Sequence, residues 1–125
     1  MTYALPEPWL HEPKKAIFIL HDFACVILSP RGMNLCGYVG LPRSHKYFGK
    51  HYDDIPVEVH GGLTYASDRI HKVENTEFWW IGFDCAHSND YIIGVKDKVP
   101  GTYRTFGYVF AQLQSLTMQL QETTS

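Results

Sequence analysis

The chain has 125 residues, 45% hydrophobic and 19% charged, with a formal net charge of −2; this fits one globular domain with a core of its own and excludes a disordered chain. The basic groups at Lys14–Lys15 and from Arg43 to Lys50 are too sparse for a phosphate-tracking groove, so no nucleic-acid polymer is expected as a partner. No apolar run approaches the roughly 20 residues of a membrane span, and Met1–Leu10 carries Pro6, Glu7 and Pro8 where a signal peptide would need an apolar core.

In chain order, Pro6, Pro8 and Pro13 predict an extended arm over residues 1–15. Ala16–Leu28, rich in Ile, Phe, Val and Leu, predicts one strand or two short ones. Ser29–Asn34 is a turn by composition, and Leu35–Leu41 returns as the second half of a hairpin. The long polar and aromatic loop Pro42–Pro56, which includes His51, is of a length often tied to function; the alternative is a solvated loop pinned by Tyr47, Phe48 and Tyr52.

Val57–Val59 alternates as a half-buried strand does, with Glu58 and His60 on the face opposite Val57 and Val59. Gly61-Gly62 breaks it, and Leu63–Tyr65 resumes a β pattern. Ser67–Glu77 reads as a surface connection with an exposed His71. Phe78–Phe83 is apolar enough to be an inner strand covered on both faces, with Asp84 ending it on the Trp80–Gly82 side and space expected above Gly82. Tyr91–Val99 is ambiguous. Pro100-Gly101 then breaks the chain, Thr102 is the expected N-cap, and a helix is predicted over 103–121. Its apolar stripe is Phe106, Val109, Phe110, Leu113, Leu116 and Leu120. The fold class expected is α+β: a single domain, mainly antiparallel sheet, with a C-terminal amphipathic helix packed on it.

Proton chemistry concentrates between Val57 and Asp90. His60 follows a strand and precedes two glycines, while Asp84 and His87 lie at i, i+3 and would share a face in a helical turn. If the strands are neighbours, His60, Asp84 and His87 converge as a catalytic group, with Asp84 fixing one imidazole. The alternative makes Asp84 and His87 a helix start and His60 a satisfied sheet-edge histidine. Trp79, Trp80, Tyr65 and Tyr38 offer stacking surface for a base, the alternative being core packing, with His51 as a further ligand-binding candidate. Arg104 adds positive charge at a helix start that itself favours anions. No metal signature, phosphate loop, dinucleotide fingerprint or nucleophile elbow is present, so no metal or cofactor is implied. The odd number of cysteines, Cys25, Cys36 and Cys85, suits a reduced cytoplasmic protein; a thiol nucleophile at Cys85 is the minor alternative.

The blocks Leu35-Cys36-Gly37-Tyr38-Val39, His60-Gly61-Gly62-Leu63-Thr64-Tyr65 and Trp79-Trp80-Ile81-Gly82-Phe83-Asp84-Cys85-Ala86-His87, followed by Tyr103-Arg104 and a Leu-rich helix, resemble a family of small phage and prophage proteins. The resemblance covers about Phe23–Leu120; the proline-rich start and Arg69–Glu77 fall outside it. It implies a viral origin and action in the cytoplasm of an infected bacterium. Small non-structural phage proteins often counter host defence, and several classes bind or cleave nucleotide-derived immune signals. The expected function is therefore counter-defence by His/Asp-based hydrolysis of a phosphodiester in a nucleotide-like small molecule. The alternatives are a non-catalytic sponge for such a messenger and a protein–protein inhibitor of a host factor. Homo-oligomerisation is left open by the sequence.

Overall fold

Lys15–Leu20 (β1) and Phe23–Leu28 (β2) pair antiparallel across a two-residue turn in which His21 and Asp22 have φ of 49° and 67°. Two positive φ values at the centre of a two-residue loop match the right-handed twist of the flanking strands, and a short polar Asp tolerates that region. The apolar run from Ala16 is thus two strands. Cys36–Leu41 (β3) pairs antiparallel with β2, Trp79–Asp84 (β5) with β3, and Tyr65–Ser67 (β4) with β5. The sheet order is β1-β2-β3-β5-β4, and Phe106–Glu122 forms a C-terminal helix, α1. The computed structural model describes residues 12–29, 34–70, 73, 77–86, 90 and 101–122. The arm up to residue 11, residues 30–33 of the expected turn, His71, His87, the 91–100 segment and the 123–125 end lie outside the described residues.

Alternation along the strands divides the sheet into two apolar faces. On one, Cys25, Ile27, Val39, Leu41, Ile81 and Phe83 meet Val109, Leu113, Leu116 and Leu120 of α1. These four helix residues are fully buried and follow the i, i+4, i+7 rows of one stripe. Each stabilises the docked helix by about 2 kcal/mol, which outweighs the modest helix propensities of Val109 and Thr117. On the other face, Val26, Leu28, Trp80 and Ile70 form a smaller cluster flanked by Tyr38, Tyr65 and Phe78. The antiparallel sheet with one helix packed on it is the α+β architecture expected from the sequence. Among the described residues, no helix is long and apolar enough to cross a membrane.

Two details differ from expectation. The helix begins at Phe106 because Thr105 caps it, its Oγ1 accepting from Tyr108 N at 3.3 Å; Thr102 instead bridges Asp90 in extended backbone. The N-terminal segment reinforces that cap: the Glu12 carboxylate accepts from Phe106 N at 2.8 Å and from the Tyr103 hydroxyl. Nor is there room above Gly82. A Cβ there would lie 2.5 Å from Tyr38 Cδ1 and 2.9 Å from Gly37 O, because the Tyr38 ring covers the glycine from its register position on β3.

Candidate functional site: a tyrosine–histidine–aspartate relay beside an arginine

The segment Val57–His60 alternates as a strand does but joins no strand of the sheet. Val57 and Val59 pack on the main core, while glutamine side chains of α1 serve its backbone in place of a neighbouring strand. Gln119 Oε1 accepts from Glu58 N at 2.8 Å, and Gln119 Nε2 donates to Glu58 O at 2.8 Å. One amide thus reproduces both halves of a β-ladder pair. Two helical turns earlier, Gln112 Oε1 accepts from His60 N at 2.9 Å. The segment then reverses: Gly62 N donates to Val59 O at 2.8 Å, and Gly61 takes the positive φ (68°) that the third position of a type II turn requires.

Held this way, the His60 imidazole faces α1. Its Nδ1 lies 2.8 Å from the Tyr108 hydroxyl, and its Nε2 lies 2.8 Å from Asp90 Oδ2. The Tyr108 ring stands edge-on to the imidazole, with centroids 5.2 Å apart. The other oxygen of Asp90 accepts from Arg104 Nε at 2.7 Å. The Asp90 carboxylate has no exposed surface, whereas the His60 and Arg104 side chains are 11% and 22% exposed. A buried carboxylate persists where both oxygens meet charge or a strong donor, as they do here. The hydrogen bond to Asp90 holds the Arg104 guanidinium above its usual pKa. Arg104 Cζ sits 4.8 Å from the Tyr108 ring centroid, close enough for cation–π attraction. The guanidinium therefore fastens to the carboxylate and to the tyrosine together.

Tautomer logic gives the relay a direction. A carboxylate with a guanidinium on its other oxygen only accepts, so His60 Nε2 carries hydrogen. In the Nε2–H tautomer Nδ1 accepts, and the Tyr108 O–H donates to it. The Tyr108 hydroxyl and the Nη groups of Arg104 make no other hydrogen bond among the described residues.

The remaining expected site residues are placed as follows. Asp84 accepts from Thr64 Oγ1 at 3.1 Å and from Ala86 N at 3.1 Å, so it fastens the end of β5. It is Asp90 that takes the His60 ring. Trp80 is buried in the cluster on the far face of the sheet. Trp79 packs against the main core and donates Nε1–H to Lys50 O at 2.8 Å. Tyr65 lies on the far face beside Tyr38, in register with Gly82, and its hydroxyl donates to Arg69 O. His51 is exposed and caps the 3-10 turn Tyr52–Asp54. Of the expected ligand-binding set, Arg104 alone joins His60. Stacking of a ligand between Trp80 or Tyr65 and the relay is not built into this geometry, because the sheet separates these two residues from α1.

Cys85 is fully buried, and burial pushes its thiol up to about 12. That removes it as a nucleophile at neutral pH. Among the described residues, no group of three or more His, Cys, Asp or Glu side chains is placed to hold a metal ion. The sequence reading missed Asp90 as the carboxylate and Tyr108 altogether. A signal for Tyr108 was present: Tyr108 and Gln112 are one helical turn apart, with Gln119 two turns beyond, giving a polar row beside the apolar stripe.

The class shown is a small α+β protein in which His60, Asp90, Arg104 and Tyr108 form one hydrogen-bonded group beside the helix. Comparison with known proteins finds no matching family model, no similar curated protein and no similar solved structure.

Proposed function

We propose that the chain is a phage-encoded counter-defence hydrolase acting in the bacterial cytoplasm on a nucleotide-derived signal, opening a phosphodiester by acid–base chemistry at His60 and Asp90. The observation that carries the reading is one imidazole bridging a buried carboxylate and a tyrosine hydroxyl, at 2.8 Å on each side. Such an arrangement moves a proton without moving a side chain. Arg104 supplies the positive charge that a phosphoryl group needs, and its guanidinium is already oriented by Asp90. The phage context comes from the resemblance of the sequence blocks described above. Incubation with a panel of cyclic di- and oligonucleotides, with products separated by chromatography, tests the reading. Turnover that disappears in His60→Ala supports it, and no turnover of any member rejects it.

A sponge is the second reading, favoured by one observation: both ring nitrogens of His60 are already engaged inside the protein. A binder would use the Arg104 donors and no proton transfer. It would gain thermal stability with an intact nucleotide and release that nucleotide unchanged on denaturation. His60→Ala separates the two, because it weakens a sponge's binding but leaves an enzyme binding without turnover.

A further inference from the structure

We propose that the Tyr108 hydroxyl is the nucleophile of this site and that hydrolysis runs through a covalent phosphotyrosyl intermediate; the inference rests on the phosphodiesterase reading above. With Nε2 on Asp90 and Nδ1 on Tyr108, neither nitrogen of His60 meets a substrate or water unless Tyr108 moves away. The group through which the ring acts on a ligand is therefore the hydroxyl itself. The order hydroxyl, imidazole, carboxylate is the one in which the ring takes a proton and the carboxylate stabilises the imidazolium that results. The Arg104 guanidinium, over the ring of the same tyrosine, supplies positive charge for the charge that develops on phosphorus.

In the first displacement a lone pair of Tyr108 Oη forms the bond to phosphorus, and the phenolic proton passes to His60 Nδ1. The ester P–O bond breaks opposite Tyr108 Oη with its electron pair on the leaving oxygen, which takes a proton from solvent. In the second, water attacks from that opposite side, forms the new P–O bond and loses a proton to solvent. The bond to Tyr108 Oη breaks, and His60 Nδ1 returns the phenolic proton to the phenolate. The sum is diester plus water giving monoester plus alcohol.

Two displacements retain configuration at phosphorus, and one inverts it. The test uses thymidine p-nitrophenyl phosphate and the single-isomer phosphorothioate of the same ester, hydrolysed in heavy-oxygen water by the full chain and by Tyr108→Phe. The expected result is retained configuration, with Tyr108→Phe slower by at least about a thousandfold, the scale on which a relay nucleophile is lost. Inverted configuration, or Tyr108→Phe within about tenfold of the parent rate, overturns the intermediate while leaving the hydrolase standing. Failure of the parent chain to release nitrophenol from either ester overturns the hydrolase reading and this inference with it. Should Tyr108→Phe not fold, the configuration at phosphorus decides.

Discussion

A carboxylate with no exposed surface stays ionised only where something matches its charge, and Asp90 is matched at each oxygen, by Arg104 on one and His60 on the other. Asp90→Asn keeps the shape and removes the charge, so the guanidinium loses its counter-ion and one amide must face two donors. The expected cost is about 3 kcal/mol, the low end for a broken buried pair, because Arg104 keeps part of its surface in water. It is read as a lowered urea midpoint at unchanged slope. Tyr108→Phe removes one hydrogen bond and keeps the ring under Arg104, so it should cost only about 1 kcal/mol. A loss for Tyr108→Phe as large as that for Asp90→Asn would mark the hydroxyl as a structural post and remove it from the chemistry. Residue identity in this group was only half legible in the sequence. His60 stood out by its glycines and its strand parity, but the acid expected beside it was Asp84, and Asp90 was missed. What separates them is tertiary: Asp84 is taken by Thr64 and Ala86 N, and the bridge between Asp90 and Thr102 brings the later acid to Arg104.

At the scale of elements, hydrophobic period decided most of the fold. The stripe from Phe106 to Leu120 and the apolar runs of β2 and β5 each had one way to bury themselves. Period alone could not say what partners a strand-like segment has, and Val57–His60 is the case in point. Its alternation is real, but its backbone is served by Gln112 and Gln119. Gln119→Ala should therefore raise the exchange rate of the Glu58 amide selectively and cost about 1 kcal/mol, since the bonds are exposed and water replaces them. Unchanged protection at Glu58 would show that the clamp is idle. Gly82→Ala probes the opposite face. Its Cβ would meet the Tyr38 ring and the Gly37 carbonyl, and the carbonyl is fixed by the β3–β5 ladder. A loss of about 2 kcal/mol is expected for overpacking between two inner strands. Thermal denaturation reads it, and a neutral Gly82→Ala would mean that Tyr38 can swing clear.

For the molecule as a whole, three thiols lie within or beside the packed sheet, and burial raises each of them: Cys25 to about 12, Cys36 to about 11 and Cys85 to about 12. The sequence made them small buried hydrophobes rather than disulfide partners, and the described structure holds them free, with Cys25 and Cys85 fully buried and Cys36 partly so. Their titration gives the fold an alkaline limit whose sign follows from linkage. In the unfolded chain a thiol ionises near 9.0, so above that pH the unfolded state sheds protons that the native state still holds. The native state then binds more protons, and stability falls as pH rises. The contribution of the neutral thiols is whole below pH 9 and is lost as pH climbs through their folded values, at up to about 1.4 kcal/mol per pH unit for each thiol. Burial raises Tyr38 as well, which adds to the loss in the same direction. Urea midpoints followed from about pH 8 to about pH 11 should descend on this limb, and replacing the three cysteines by alanine should flatten it. At neutral pH a thiol reagent should label the buried Cys25 and Cys85 only as fast as the chain opens. Rapid labelling of native Cys85, or a midpoint that holds level through pH 10, would contradict its burial and return it to the list of reactive groups beside the relay.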